Sequence, residues 1–261
     1  MTRLLDLTLD TAEENLALDE ALLLEAEAAA AADVPHAEVL RIWEPVRPLV
    51  VVGRGSRISR EVNVAACHRD GVPILRRTSG GAAIVAAPGC LMYALVLAYA
   101  GRPHLRAISE THAYVLGHLA DALAGHVPGV ARAGTSDLAV GGRKFSGNSL
   151  RCRRTHLLYH GTLLYAMDLD LAERYLRIPP REPDYRAGRG HAEFLVNLPL
   201  SCEVLRNVLA AAWSASPCDA TDAGINEPPV EGPLSDRWPR RLTAELVAEK
   251  YGRREWNERQ G

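Results

Sequence analysis

Residues 136–148 read Ser-Asp-Leu-Ala-Val-Gly-Gly-Arg-Lys-Phe-Ser-Gly-Asn. Gly141 and Gly142 stand between two short runs, and both central positions of a two-residue hairpin turn favour positive φ, which glycine adopts without a Cβ clash. The stretch therefore predicts a hairpin pairing Val140 with Arg143, Ala139 with Lys144, Leu138 with Phe145, and Asp137 with Ser146. Alternation sends Leu138 and Phe145 to one face, the core, and groups Asp137, Lys144 and Ser146 on the other. Gly147 follows, where a backbone without Cβ lets a ligand come close. The pattern holds one primary amine on a rigid strand above a groove. From this segment alone an exposed lysine on an edge strand is an equal alternative.

Outward from the hairpin, strands are predicted over 37–43, 49–53, 73–77, 91–100 and 156–167. Thr11-Ala-Glu-Glu14 has the form of a capping box opening a helix through residue 33. Further helices are predicted over 59–69, 106–124, 168–178, 201–215 and 242–251. The strands come in hairpin-like succession rather than strict βαβ alternation. That order predicts an α/β protein of the α+β type, with a mixed, largely antiparallel sheet flanked by helices. Residues 1–215 are expected to form the main domain; 216–261 are expected to be a proline- and glycine-rich linker and a C-terminal helix packing on it.

Composition narrows the function classes. The 261 residues are 48% hydrophobic and 24% charged, which suits a globular core. A formal charge of −2 speaks against a general grip on nucleic acid or an anionic membrane, so neither is expected as a partner. No run of about 18 apolar residues occurs, and residues 1–10 lack an apolar signal core, so the cytoplasm is expected. The five cysteines (Cys67, Cys90, Cys152, Cys202, Cys218) form neither a disulfide framework nor a zinc pattern, and no metal ligand is assigned. Among many arginines the chain keeps two lysines, Lys144 and Lys250.

Arg76-Arg77-Thr78-Ser79-Gly80-Gly81 is the second segment with chemical character. Guanidinium forks bind phosphate, and a glycine backbone offers N–H donors at short range. It matches neither a Walker loop nor a dinucleotide fingerprint. Taken alone, a glycine turn with solvated arginines is the plainer reading. His160-Gly161-Thr162 lies inside an apolar strand, where a lone histidine is commonly a core residue. Arg186, Arg189 and His191 lie in a loop that could meet phosphate.

Together these segments resemble the lipoate–protein ligase catalytic domain, a relative of biotin ligases. The resemblance runs through NLALDEALL (15–23), RIWEP…VVVGRG (41–55), REVN (60–63), RRTSGG (76–81), SDLAVGGRKFSGNSLR (136–151) and HGTLLY (160–165), in order. It implies a two-step reaction: ATP, with Mg2+, activates lipoate or octanoate as an acyl-adenylate, and the acyl group passes to a lysine of a lipoyl carrier domain. Such carriers are 2-oxoacid dehydrogenase subunits or the glycine cleavage carrier protein. It makes Lys144 the catalytic residue, contacting the acyl carbonyl and phosphate. It makes Arg76, Arg77, Ser79, Gly80, Gly81, Ala82, Ala83, Ile84 and Val85 the nucleotide and substrate loop, with Asp137, Ser146, Gly147, Asn148, His160 and Thr162 completing the site.

The sequence also departs from the family pattern. Ala82 stands for a third glycine, Ala86-Ala87 for a His-Asp pair, Cys90 for an asparagine and Leu150 for a glutamine. The chain ends about where many bacterial ligases begin an accessory domain, so a separate accessory-domain protein is a possible partner. The rivals are an octanoyl or lipoyl transferase of the same fold using a cysteine and no ATP, a biotin ligase, and a non-catalytic lipoate-binding module. The transferases carry their cysteine where residues 125–143 and 170–195 here have none.

Overall fold

The computed structural model describes residues 2–179, 181–217 and 238–259. Its strands are β1 (Thr2–Asp6), β2 (Glu38–Trp43), β3 (Leu49–Val52), β4 (Ile74–Arg76), β5 (Ile84–Ala86), β6 (Cys90–Ala98), β7 (Ala131–Ala133), β8 (Asp137–Val140), β9 (Arg143–Cys152), β10 (His156–Leu164) and β11 (Ala215–Pro217). The α-helices are α1 (Ala12–Ala31), α2 (Ile58–Glu61), α3 (Val64–Arg69), α4 (Ile108–Ala124), α5 (Asp170–Tyr175), α6 (His191–Phe194), α7 (Cys202–Ala212), α8 (Arg240–Leu246) and α9 (Arg254–Asn257).

Eight strands form one sheet in the order β11-β1-β2-β6-β10-β9-β8-β7. β1 runs parallel to both its neighbours, and the remaining pairs are antiparallel. A small sheet, β4-β3-β5, lies apart from it. This is the mixed, largely antiparallel α/β architecture that the strand order predicts. Among the described residues no helix is long and apolar enough to cross a membrane.

The long central strand β6 shows why the layers form. Leu91, Tyr93, Leu95 and Leu97 join the core beneath α4 and α7, with Leu119, Leu123, Leu205 and Leu209. The alternate residues Ala94 and Val96 pack against Leu18, Leu22 and Ala26 of α1. Both faces are covered, so the run is apolar throughout instead of alternating. α1 opens as its capping box predicts, with Thr11 and Glu14 bonding reciprocally. It is buried along most of its length because α8 covers the side turned away from the sheet.

Several boundaries differ from those read in the sequence. The helix predicted over 59–69 is broken at Val62 and Asn63, where Asn63 caps α3 and Val62 bridges to Leu176. The helix of 168–178 shortens to α5 because residue 176 turns extended to make that bridge. The predicted linker over 216–239 lies largely outside the described residues.

Candidate functional site

The glycine hairpin forms, with Gly141 and Gly142 at φ of 56° and 70°. Val140 pairs with Arg143 and Ala139 with Lys144, as predicted. Beyond that point the register changes. A bulge lets Phe145 slip between pairs, so Leu138 faces Ser146 and Asp137 faces Gly147. Leu138 and Phe145 both reach the core. One extra residue reverses the alternation that follows it. Ser146 therefore does not share a face with Lys144, which corrects the pairing expected from the sequence. Its hydroxyl accepts from the Asn148 amide, and Asn148 in turn takes the Tyr93 hydroxyl and donates to the Ser136 carbonyl. Both residues line the cavity, yet their side chains are engaged inside the sheet.

Lys144 and Asp137 do meet, with Nζ 2.7 Å from Oδ1. Tyr185 donates to the other carboxylate oxygen at 2.8 Å. Gly147 makes this approach possible, because a Cβ there would lie 2.8 Å from both Lys144 Cε and Nζ. The amine stands at the wall of a cavity of about 390 Å³. Leu16, Val51, Met92, Leu164 and Met167 supply an apolar lining, and all five belong to one core cluster. Thr162 lines the same cavity and its hydroxyl accepts from Gly147 N at 3.2 Å.

The arginine–glycine loop behaves differently from its sequence reading. Arg76 lines no part of the cavity. It is wholly buried, and its guanidinium donates to the carbonyls of Gly53, Arg54, Ser56, Trp256 and Arg259. That makes it a clamp between the loop and the C-terminal segment, with no donor directed at a ligand site. Arg77 does line the cavity, but its donors also turn inward, to Ser79 Oγ and to the carbonyls of Val51, Gly80 and Ala82. Burial, partly offset by Glu61, brings this guanidinium down to about 10. Arg77 thus curls the loop around itself.

Ser79 and Gly80 lie outside the cavity lining, while Gly81, Ala82, Ala83, Ile84 and Val85 form part of it. Ser79 Oγ sits 2.5 Å from His160 Nε2, and His160 Nδ1 is 3.6 Å from Asp19 of α1. Asp19 is in turn held by Arg41 at 2.5 Å. His160 faces the cavity and braces the loop from the strand side. Thr78 donates to Glu20, the residue after Asp19. The Asp-Glu pair of α1 therefore anchors two consecutive hydroxyls of the loop.

The reading of the hairpin and loop did not pick out the cavity residues Asp19, Glu61 and Phe194, nor Tyr185, which lies behind Asp137. Tyr185 reaches the site through Asp137 and Phe194 lines it. Glu61 accepts from Ala83 N at 2.7 Å and from Ser56, which fixes the far end of the loop. Its place in REVN was the available signal. Arg186 and His191, considered only as loop residues, both line the cavity. Burial lowers the His191 imidazole, and Arg186 and Lys144 lower it further.

The site is therefore a mostly apolar cavity with a carboxylate-held amine at its wall, on a mixed sheet. Residues 11–204 match the family of the lipoyl protein ligase A/B catalytic domain, and the chain belongs to that family. A probable lipoate-protein ligase A of Mycoplasma pneumoniae is 31% identical over 63% of this chain, which spans 45% of that relative. The octanoyltransferase LipM of Carboxydothermus hydrogenoformans is 26% identical over 93% of both chains. Among solved structures, lipoate-protein ligase A bound with ATP superposes with a TM-score of 0.72, at 20% identity over 100% of this chain and 99% of that one. A structure from the archaeal lipoylation system of Thermoplasma acidophilum, described as a bi-partite lipoate protein ligase and its E2 lipoyl domain, gives 0.68 at 20% identity, covering 100% and 97%. These likenesses establish the fold. The chain spans under half of the mycoplasma relative it matches.

Proposed function

We propose that this chain attaches lipoate or octanoate to a lysine of a lipoyl carrier domain, after activating the acid with ATP as an acyl-adenylate. The observation that carries the reading is the Lys144 ammonium, pinned by Asp137 at the wall of an apolar cavity. In the first step a carboxylate oxygen of the acid attacks the α-phosphorus and pyrophosphate leaves. The acyl chain lies along Val51, Met92, Leu164 and Met167, with its carboxylate toward Lys144. In the second step the carrier lysine's amine attacks the acyl carbonyl, forming an amide and releasing AMP. Lys144 offsets the charge that develops on the carbonyl oxygen, and a fixed ammonium in a water-poor site costs little reorganisation at that moment. Magnesium would come with the nucleotide, held mainly by phosphate oxygens, since that ion keeps few protein ligands.

The family to which the chain belongs and the ATP-bound relative support this reading. The archaeal relative described together with its E2 lipoyl domain supports a carrier-domain partner, and its bi-partite nature supports a separate accessory protein. Dependence on ATP would put the reaction in a compartment that holds ATP, of which the cytoplasm is the one we propose.

A second reading, octanoyl transfer from a carrier protein without ATP, is favoured by one observation: the LipM relative covers nearly all of this chain. That chemistry uses a thiolate. Among the described residues no cysteine lines the cavity. Burial pushes the Cys90 thiol up to about 12, which leaves it inert at neutral pH. Cys218 lies outside the described residues. The experiment that decides supplies an apo lipoyl domain with octanoate or lipoate plus ATP and magnesium, or with octanoyl carrier protein alone. Modification in the first mixture only is expected. Modification in the second only gives the case to the transferase.

A further inference from the structure

Five lysines and arginines line the cavity, Arg77, Lys144, Arg177, Arg181 and Arg186, and they differ in what they have left to offer. Lys144 is matched by a carboxylate. Arg77 directs its donors into its own loop and to the Val51 carbonyl of β3. Arg177 donates to the Val62 carbonyl and Arg181 is exposed, whereas Arg186 alone of the five has a buried nitrogen without a partner among the described residues. Its side chain is 4% exposed, and Nη2 is shut off from solvent with no hydrogen-bond partner among the described residues. Its Nε donates to the Arg189 carbonyl. Its one ion pair among the described residues is with Glu182, at 3.3 Å, a side chain itself 36% exposed. A buried guanidinium nitrogen left unbonded is costly, and that cost is recovered only when an acceptor arrives.

The surroundings hold this donor in place. The guanidinium lies over the Phe194 ring, 4.9 Å from its centroid. Arg189 donates to the carbonyls of Arg186, Tyr185 and Gly142, which ties the segment to the tip of the hairpin bearing Lys144. Ala187, next in the chain, sits at φ 53°, a left-handed backbone that a residue with Cβ adopts at a cost. Strain beside a buried, unpartnered donor, on a residue whose side chain lines the cavity, fits a ligand contact better than a packing role.

We infer that Arg186 grips the phosphate of a nucleotide in this cavity, in the place that the sequence assigns to Arg76 and Arg77. The inference rests on the acyl-adenylate reading for the identity of the ligand. A guanidinium fork matches two phosphate oxygens, and Phe194 fixes its plane, so the contact discriminates phosphate from a neutral head group. Glu182 is then the competing carboxylate that the phosphate must displace or tolerate.

The test is calorimetric titration of the full chain with AMP, adenosine and octanoate. Arg186→Gln is expected to weaken AMP binding tenfold or more and to leave adenosine and octanoate unchanged. Arg186→Lys should fall between, because it keeps the charge and loses the fork. Glu182→Gln should tighten AMP severalfold, a gain that misfolding cannot mimic. The inference is overturned if the unaltered chain binds AMP no better than adenosine, if Arg186→Gln weakens both alike, or if octanoate alone loses affinity. None of these titrations needs acyl transfer. Failure of the carrier-modification assay therefore leaves the AMP contrast standing, and an equal response to AMP and adenosine sinks Arg186 while leaving the reaction untouched.

Discussion

Gly53→Ala should displace the cavity loop without unfolding the protein. A Cβ at residue 53 would lie 1.9 Å from the Gly81 carbonyl oxygen and 3.1 Å from Gly80 C. A relaxed carbon–oxygen contact needs about 3.3 Å, so one side must retreat by about 1.4 Å. Residue 53 directly follows β3, which is paired on both edges by β4 and β5, whereas Gly80 and Gly81 are exposed. The loop therefore moves. It loses the bond from Ser56 Oγ to Gly81 O and strains that from Arg54 N to Ser79 O, together about 2 kcal/mol. That is a fraction of the stability of an ordinary domain. A misplacement of about 1 Å at a reacting centre can cost roughly 100-fold in rate. Acyl transfer to an apo lipoyl domain, followed by mass shift, should drop by about that factor, with a melting temperature only a few degrees lower. Gly55→Ala is the control, since a Cβ there meets nothing within 4 Å. If Gly53→Ala transfers acyl groups as fast as Gly55→Ala, the loop does not depend on that backbone contact and the reasoning fails.

Lys144→Arg should lower acyl transfer by about 100-fold or more with an unchanged melting curve, because a planar fork cannot replace a compact ammonium held 2.7 Å from Asp137; wild-type rates in this variant would remove Lys144 from the chemistry. Glu20→Gln probes the anchor of Thr78. Burial alone would raise the Glu20 carboxyl, but the bond and charge of Lys250, with Tyr251 and Thr78, outweigh it and lower the pKa. The ion therefore stabilises the fold above the ordinary glutamate value of about 4.3, and that contribution fades as pH falls through the lower folded value. Urea denaturation should show Glu20→Gln less stable at pH 7 by up to about 3 kcal/mol, the gap closing in acid; a gap independent of pH would refute the assignment. Asn257→Ala removes the acceptor of Arg76 N and the donor to Tyr251 O, so it should cost about 2 kcal/mol and raise KM for ATP more than it lowers kcat. An unaltered KM would mean that the C-terminal segment does not steady the loop.

What the sequence made legible, and what it hid, follows from the range of the interactions involved. The Gly141-Gly142 turn and the pairing of Ala139 with Lys144 depend on neighbours a few residues apart, and turn chemistry alone specifies them. The bulge at Phe145 lies just as near in sequence but is set by the demand that both Leu138 and Phe145 reach one core, a tertiary condition. That one residue moved Ser146 to the opposite face and brought Gly147 beneath the amine. Arg76 was unreadable for a stronger reason. Its acceptors Trp256 and Arg259 lie at the far end of the chain, and two adjacent arginines carry no local mark of which is clamp and which is cavity wall. Arginine that must satisfy backbone carbonyls in a buried place and arginine that must meet a phosphate have the same letter and the same donors. Geometry separates them: a guanidinium whose nitrogens already point at carbonyls has little left to give a ligand, and one with an idle nitrogen beside a cavity does. By that criterion we infer the phosphate contact at Arg186, in a loop with no motif, while the donors of Arg76 and Arg77 hold the glycine loop curled.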